Sequence, residues 1–391
     1  MQAAISIITG KCFSSHRKKN KKYPSAYVRA DFDERNNTME KTGFRKNLIN
    51  IEPYVAGEQP KSENIIKLNA NENAYPPSPL VQKAISGFDA SVLRKYPDFS
   101  GEPLKSKLAL YYGLKPSQVF VGNGSDDVLA AAFRAFFNSD KPILYPDVTY
   151  SFYPVWCDIM RIPYKTIPLK EDLTIDVNDY NTENGGIIFP NPNAPTSIAL
   201  DKDKIITLLD NNRDVVVVID ETYIDFGGES CIDLLDKYDN LVLTRTFSKS
   251  RSLAGMRLGF AMASEELISY MNAVKDSYNS YPVDAVAIKA GCAAVEDDKY
   301  FKDTLNKLVS TRERLADALS DMGFDVADSS ANFLFAKHDK YAAKEVFAFL
   351  REKGIFVRYF NKPRIDDRLR ITVGTDEETD ALINALKELI K

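Results

Sequence analysis

The stretch Thr246-Phe247-Ser248-Lys249-Ser250 sets one lysine among hydroxyls, with Arg257 eight residues past the lysine and glycines at 255 and 259. It follows an apolar run, Leu241-Val242-Leu243. A lysine amine has an unperturbed pKa near ~10.4 and is mostly protonated at neutral pH, so a nucleophilic lysine needs cationic or apolar surroundings to free it. Pyridoxal phosphate offers such an amine an aldehyde to attack, together with a charged ring. Taken alone, the stretch fits a loop lysine and a surface arginine equally well, and the rest of the chain has to decide.

The run Val215–Ile219 is apolar on both faces, as a central parallel strand must be, and it ends in Asp220-Glu221-Thr222-Tyr223. In open α/β sheets ligands bind beyond the carboxyl ends of strands. A carboxylate at Asp220 can hold a pyridine nitrogen protonated and make the ring an electron sink, and Tyr223 can reach the ring hydroxyl. Val119-Phe120-Val121 runs into Gly122-Asn123-Gly124-Ser125-Asp126-Asp127 and then into helical spacing. A glycine turn opening a helix binds phosphate, because free N–H groups and the helix dipole point at the anion. Gly124 and Ser125, with Ser248 and Arg257, are therefore candidates for the coenzyme phosphate, and Tyr150 for stacking on its ring. Each residue has a bland alternative: Asp220 a helix cap, Tyr223 a core tyrosine, Tyr150 packing. Their order and shared position at strand ends favour a site. The glycine turn is not a dinucleotide fingerprint, since its sixth position is Asp127. The valine run resembles a Walker B strand, but the chain has no Gly-x-x-x-x-Gly-Lys-Ser/Thr loop to accompany it.

Composition narrows the choice of chemistry. The 391 residues are 44% hydrophobic and 27% charged, an ordinary globular balance whose length suggests two domains. A net charge of −4 and a pI near 5.5 give no electrostatic case for nucleic acid or an anionic membrane. No apolar run approaches the ~18 residues of a membrane span, so a soluble, cytoplasmic protein is expected. Cys12, Cys157, Cys231 and Cys292 lie far apart, and the only histidines are His16 and His338. Neither a zinc site, a disulfide framework nor a Ser-His-Asp triad is indicated. The chemistry has to run on lysine, carboxylates, tyrosine or a cofactor.

Residues 1–38 carry a basic run, Arg17–Lys22, and no acid before Asp31, and they read as a disordered leader. Residues 39–75, rich in proline and asparagine yet holding Tyr54 and Leu68, read as an extended arm packing on the site and the smaller domain. Helix and strand patterns alternate from about residue 102, with strands expected at 119–121, 143–145, 186–189, 215–219, 241–243 and 258–261. Helices are expected at 284–296 and 298–321, then strands at 331–336, 355–358 and 369–373 and a closing helix from Asp376. The expectation is an α/β protein, with a large domain (76–280) built around a mainly parallel sheet flanked by helices and a smaller α+β domain (281–391).

From Leu48 onward the chain resembles the fold-type I pyridoxal-phosphate-dependent aminotransferases, and among them the histidinol-phosphate aminotransferases. The resemblance rests on Pro53–Gly57, Leu68–Asn73, Tyr96-Pro97, Gly122–Asp126, Asp220–Tyr223, Arg245–Lys249, Leu253–Gly259 and Leu369–Thr375. It implies that Lys249 carries pyridoxal 5'-phosphate, that Asp220 pairs with the ring nitrogen and Tyr223 with the ring hydroxyl, and that Arg257, Ser248 and Ser125 bind phosphate within the Gly124-Ser125-Asp126 turn. Tyr96 would serve the neighbouring subunit of a homodimer. Tyr54, Arg358 and Arg370 would bind the substrate anion, since arginine's planar fork suits phosphate and carboxylate alike. The implied activity is amino transfer between histidinol phosphate and 2-oxoglutarate, with glutamate as the other product. A phosphothreonine decarboxylase and a broad aromatic aminotransferase are the alternatives. One departure stands out: the family's Asn-Asn-Pro-Thr-Gly reads Asn193-Ala194-Pro195-Thr196-Ser197 here. Either Asn193 moves in to contact the coenzyme, or Tyr223 holds the ring hydroxyl alone.

Overall fold

Val217–Asp220, apolar up to its terminal aspartate, forms the middle strand of a seven-stranded sheet and is buried on both faces. A segment with no polar face can be placed nowhere else without exposing apolar surface. The structure is a computed structural model that describes residues 43–47, 49, 51–54, 57–60 and 64–390. The expected leader, and part of the expected arm, lie outside those residues. The chain divides into two units after Asn50. Of the first, Gly43–Asn47 forms one 3-10 turn; everything below concerns Ile51–Lys391.

A two-residue strand, β1 (Ile66–Lys67), precedes the large sheet. The sheet comprises β2 (Val119–Gly122), β3 (Ile143–Pro146), β4 (Tyr164–Ile167), β5 (Ile187–Pro190), β6 (Val217–Asp220), β7 (Leu241–Thr246) and β8 (Gly259–Ala263), in the order β2-β8-β7-β6-β5-β3-β4. Every pairing is parallel except those of β8, which runs antiparallel to both neighbours. The expected mainly parallel sheet is therefore present. Sequence reading missed β4, whose Tyr-Lys-Thr leaves three of four positions exposed at the sheet edge; a polar edge strand lacks the apolar run that gives the others away.

Helices α1 (Pro79–Ser86), α2 (Leu104–Tyr112), α3 (Ser125–Phe136), α4 (Tyr153–Met160), α5 (Lys202–Asn211), α6 (Glu265–Tyr278) and α7 (Ala285–Glu296) accompany this sheet. Much of α7 joins its core, including Ile288 and Cys292, and α7 packs against α1 and α2. The 24-residue α8 (Asp298–Asp321) follows and gives Leu315 and Leu319 to a different core. A second sheet follows, of order β12-β13-β10-β9, from β9 (Phe324–Val326), β10 (Phe333–His338), β12 (Arg358–Tyr359) and β13 (Arg368–Thr372). With α8, α9 (Ala343–Glu352) and α10 (Asp376–Leu389) it encloses a separate core containing Leu315, Leu334, Leu350, Ile371 and Leu382. β1 pairs in parallel with β11 (Ile355–Phe356), and Leu68, just past β1, is buried in this core.

Strand alternation puts consecutive residues on opposite faces. Asp220 turns one way and Glu221 the other, into a buried network. Glu221 accepts from Arg245 Nε (2.9 Å) and Nη2 (2.7 Å), from the Cys231 N–H (2.7 Å) and from Ser230 Oγ (2.9 Å). Arg245 also donates to Tyr112 and to Asp225, at 3.3 Å each, and Asp225 takes the Ser250 hydroxyl at 2.5 Å. This ties the end of β6 to the end of β7. Replacing one partner strands a buried charge, so Arg245→Met should cost about 3–5 kcal/mol in urea unfolding. The double variant Arg245→Met/Glu221→Gln should recover much of that loss, because both charges leave together.

Candidate active site

The carboxyl ends of β2, β3, β5, β6 and β7 open on one side of the sheet, and the segments leaving them line a cleft of about 330 Å³. Ser125 and Asp126 follow β2; Thr149 and Tyr150 follow β3; Ala194 and Pro195 follow β5; Asp220, Thr222 and Tyr223 end β6; Thr246, Ser248 and Lys249 end β7. The opposite wall carries Tyr54 and Asn69–Glu72 from the arm and Arg358, Phe360 and Arg370 from the second sheet. The two walls are joined beside the cleft by Arg364, which donates to Asp147 of the β3 end and to the carbonyls of Leu169 (2.7 Å) and Lys170 (3.1 Å).

At the cleft floor, burial pushes the Asp220 carboxyl up to about 6, against the lowering effect of its hydrogen bonds. All three of those bonds fall on Oδ1: from the Thr222 N–H (3.2 Å), the Thr222 hydroxyl (2.7 Å) and the Thr244 hydroxyl (3.1 Å). Oδ2 has no protein donor among the described residues. A buried carboxylate oxygen so left suits a cationic N–H, the group a protonated pyridine presents. Burial, then the nearby Arg370 and Arg257 guanidiniums, lower the Lys249 amine to about 8, against the opposing pull of Glu72 and Asp126. Among the described residues its Nζ donates one hydrogen bond, to the Ala70 carbonyl at 3.4 Å. Asn73 fixes its backbone by donating to the Lys249 carbonyl at 2.8 Å. An amine held this way and lowered toward neutral pH is suited to act as a nucleophile.

One end of the cleft is shaped for phosphate. Helix α3 starts with no side-chain cap, behind Gly124 at φ +84°. A Cβ on Gly124 would lie 2.7 Å from Arg257 Nη2, and one on Gly259 would lie 2.5 Å from the Gly124 carbonyl carbon. Both glycines thus allow the approach that brings Arg257 against the helix start, with Ser125 and Ser248 beside it. Asp126 spans the gap, taking the Tyr150 hydroxyl at 2.8 Å and Arg257 at 3.3 Å. At the other end Arg370 lies between the rings of Phe333 and Phe360, 5.4 Å from each, with its Nε buried and unpartnered. Burial and the neighbouring Arg358 hold its guanidinium below the ordinary arginine value. Tyr54 stacks on Phe152 at 4.2 Å.

Lys249, Asp220, Tyr223, Ser248, Arg257, Ser125, Asp126, Tyr150, Tyr54, Arg358 and Arg370 therefore meet in one cleft, with Gly124 directly behind it. Two expected residues do not. Asn193 is spent on protein partners: its amide donates to the Val148 carbonyl (3.0 Å) and to Thr196 (3.1 Å), and its oxygen takes the Thr149 hydroxyl (3.0 Å). Ala194 lines the cleft in its place. Tyr96 is 81% exposed and stacks on Tyr281 at 4.7 Å, outside the cleft. Sequence reading overlooked Thr222, Thr244, Phe360 and Asn71. The polar spacing of Asn69–Asn73 was the available signal for the last.

A family model described as aminotransferase class I and II matches residues 63–386, and the chain belongs to that class. It is 53% identical over 341 residues to histidinol-phosphate aminotransferase 1 of Hydrogenovibrio crunogenus, covering 87% of this chain and 96% of the relative. It is 54% identical to the histidinol-phosphate aminotransferase of Acinetobacter baumannii strain SDF, covering 86% and 94%. Within the class it is a member of the histidinol-phosphate aminotransferase family. The histidinol-phosphate aminotransferase of Sinorhizobium meliloti, solved in complex with pyridoxal 5'-phosphate, superposes with a TM-score of 0.76 at 25% identity, covering 83% of this chain and 90% of that one.

The raised Asp220 carboxyl makes a prediction for the coenzyme-free protein. Its folded pKa of about 6 exceeds the ordinary 3.8, so between those values the folded form keeps a proton that the unfolded form releases. Stability falls as pH rises through that window, and the cost persists above it. An asparagine side chain at this position keeps an oxygen for the three donors and carries no charge. Coenzyme-free Asp220→Asn should therefore outlast wild type in urea at pH 7 by up to about 3 kcal/mol, with the gap closing by pH 4. Added pyridoxal phosphate should reverse the ranking.

Proposed function

We infer that this chain is a pyridoxal-phosphate-dependent aminotransferase that moves an amino group reversibly between L-histidinol phosphate and 2-oxoglutarate, giving imidazole acetol phosphate and L-glutamate, in histidine biosynthesis. The observation that carries this is identity above half, along nearly the whole length, to histidinol-phosphate aminotransferases. The cleft supports it with a partly neutral lysine, an unshared carboxylate oxygen and separate cationic ends.

Bound pyridoxal phosphate supplies the carbonyl that takes the substrate amine and a ring that withdraws electrons from the carbon to be deprotonated. The residues do the rest. Asp220 Oδ2 would receive the ring N–H. Gly124, Ser125, Ser248 and Arg257 would hold the coenzyme phosphate, Tyr150 would pack on the ring and Tyr223 would donate to the ring hydroxyl. Lys249 Nζ would be the base that takes the proton from the substrate carbon and the acid that returns it. Histidinol phosphate brings a phosphate and glutamate a carboxylate. Arg370 and Arg358 receive either anion in alternate half-reactions, with Tyr54 donating a further hydrogen bond. The buried, unpartnered Nε of Arg370 is a donor awaiting such an anion.

We read the enzyme as a cytoplasmic homodimer. Val92, Leu93, Tyr96 and Phe99 are exposed within a short stretch. That suits a face covered by a second copy, with Tyr96 serving the partner's site.

Purified protein should form glutamate from histidinol phosphate and 2-oxoglutarate. Carbon dioxide release from phosphothreonine without glutamate formation would move it to the decarboxylases. Arg370→Ala should slow both half-reactions by the equivalent of about 2–5 kcal/mol; loss of the glutamate half alone would place the phosphate elsewhere. Mixing inactive Lys249→Ala with inactive Tyr96→Phe should restore part of the activity in heterodimers, because one of their two sites then holds both native residues.

A further inference from the structure

Asn71 sits in the arm at φ +54°, is 2% exposed, and makes a chain of directed hydrogen bonds. Its backbone N–H donates to the Thr372 hydroxyl at 3.0 Å, so that hydroxyl's own proton is available to the Asn71 side-chain oxygen, 3.2 Å away. That contact fixes the amide. The side-chain NH₂ then faces Tyr223 and donates to its hydroxyl oxygen at 2.9 Å. Asn332 anchors the Asn71 carbonyl at 3.1 Å, and the Tyr223 ring is held edge-on by Phe333 at 5.1 Å. A tyrosine hydroxyl has one proton. With a donor already on its oxygen, it gives that proton elsewhere, and the open direction is the cleft. Neither Ala194, which has no polar side chain, nor Asn193, whose amide is committed to Val148 and Thr196, supplies a second donor there.

We propose that Asn71 is a positioning residue for the reaction: by occupying the acceptor side of the Tyr223 hydroxyl, it turns that proton into the cleft, toward the ring hydroxyl of the coenzyme. The inference rests on the proposed function, since it presumes a coenzyme ring at that place. Asp220 and Arg370 are the charged groups that bear on Tyr223, and none of the variants below alters either.

The test reads the pH midpoint of the visible absorption band of the coenzyme-loaded full chain. A donor on the ring oxygen stabilises its anion and lets the neighbouring lysine-linked proton leave at lower pH, so weakening that donor raises the midpoint. Asn71→Gly, which suits the positive φ, should raise it by about 0.4–1 unit, the equivalent of one hydrogen bond. In a Tyr223→Phe background the same change should add nothing. An unshifted midpoint, or an equal shift without the Tyr223 hydroxyl, overturns the proposal. Should Asn71→Gly fail to load coenzyme, Thr372→Val, which frees the amide to rotate, carries the test: a smaller rise supports the proposal and no rise overturns it. A wild-type chain that develops no visible band with pyridoxal phosphate overturns the functional reading itself.

Discussion

A charge pair buried beneath the cleft floor holds the site's two principal strand ends in register. Arg245 of β7 and Glu221 past β6 meet on the side of the sheet away from the cleft. Because side chains alternate, fixing those two fixes their neighbours: Asp220 and Thr246 are brought to the cleft side by the same backbone, and Lys249 follows three residues past the end of β7. Asp220 pairs with Thr244 across the sheet, and Thr244 in turn donates to the Asp220 carboxylate. A slip of one residue would exchange the structural acid for the functional one. The network below the sheet is therefore part of how the site above it is specified.

Above the floor the charges are arranged otherwise. Lys249, Arg257, Arg358 and Arg370 line one cleft with Asp126, Asp220 and Glu72, and Lys249 and Arg370 both lie below their ordinary pKa values. Cations under such pressure gain from any anion that enters. Burial is the larger cause of both shifts and the neighbouring guanidiniums the smaller, so an anion entering beside Arg257 or between Arg358 and Arg370 would relieve the charge part of each.

What could be read from the sequence was whatever lies beside a strong local signal. Asp220 and Lys249 follow apolar strands, and Gly124-Ser125 follows another and opens a helix, so periodicity alone put them at one edge of a sheet. Arg358 and Arg370 carry no such local signal and were named only by resemblance; in the structure they are Cα partners across two antiparallel strands. The commitment of Asn193 was not legible because its side chain is claimed by Val148, Thr149 and Thr196, and the first two lie more than forty residues earlier in the chain. For Asn71 the polar spacing of Asn69–Asn73 marked the stretch but not its partners, since Tyr223, Asn332 and Thr372 are brought to it only by the tertiary fold. Residue type announces what a side chain can do, while its commitment to another partner is settled across the fold.

The arm has a consequence for how the molecule comes into being. Ile66 pairs with Ile355 in a parallel register, and Leu68 and Asn71 bond to residues near 356 and 372. The segment that covers the cleft thus leaves the ribosome well before the strand it docks on. At about 5–20 residues per second, some 290 residues of synthesis hold it unpaired for about 15–60 s. The sheet and its phosphate turn can form during that interval, but the wall that completes the cleft cannot. A complete cleft therefore waits on residues 355–372, and a product truncated before them has the turn at the start of α3 but lacks the wall opposite it.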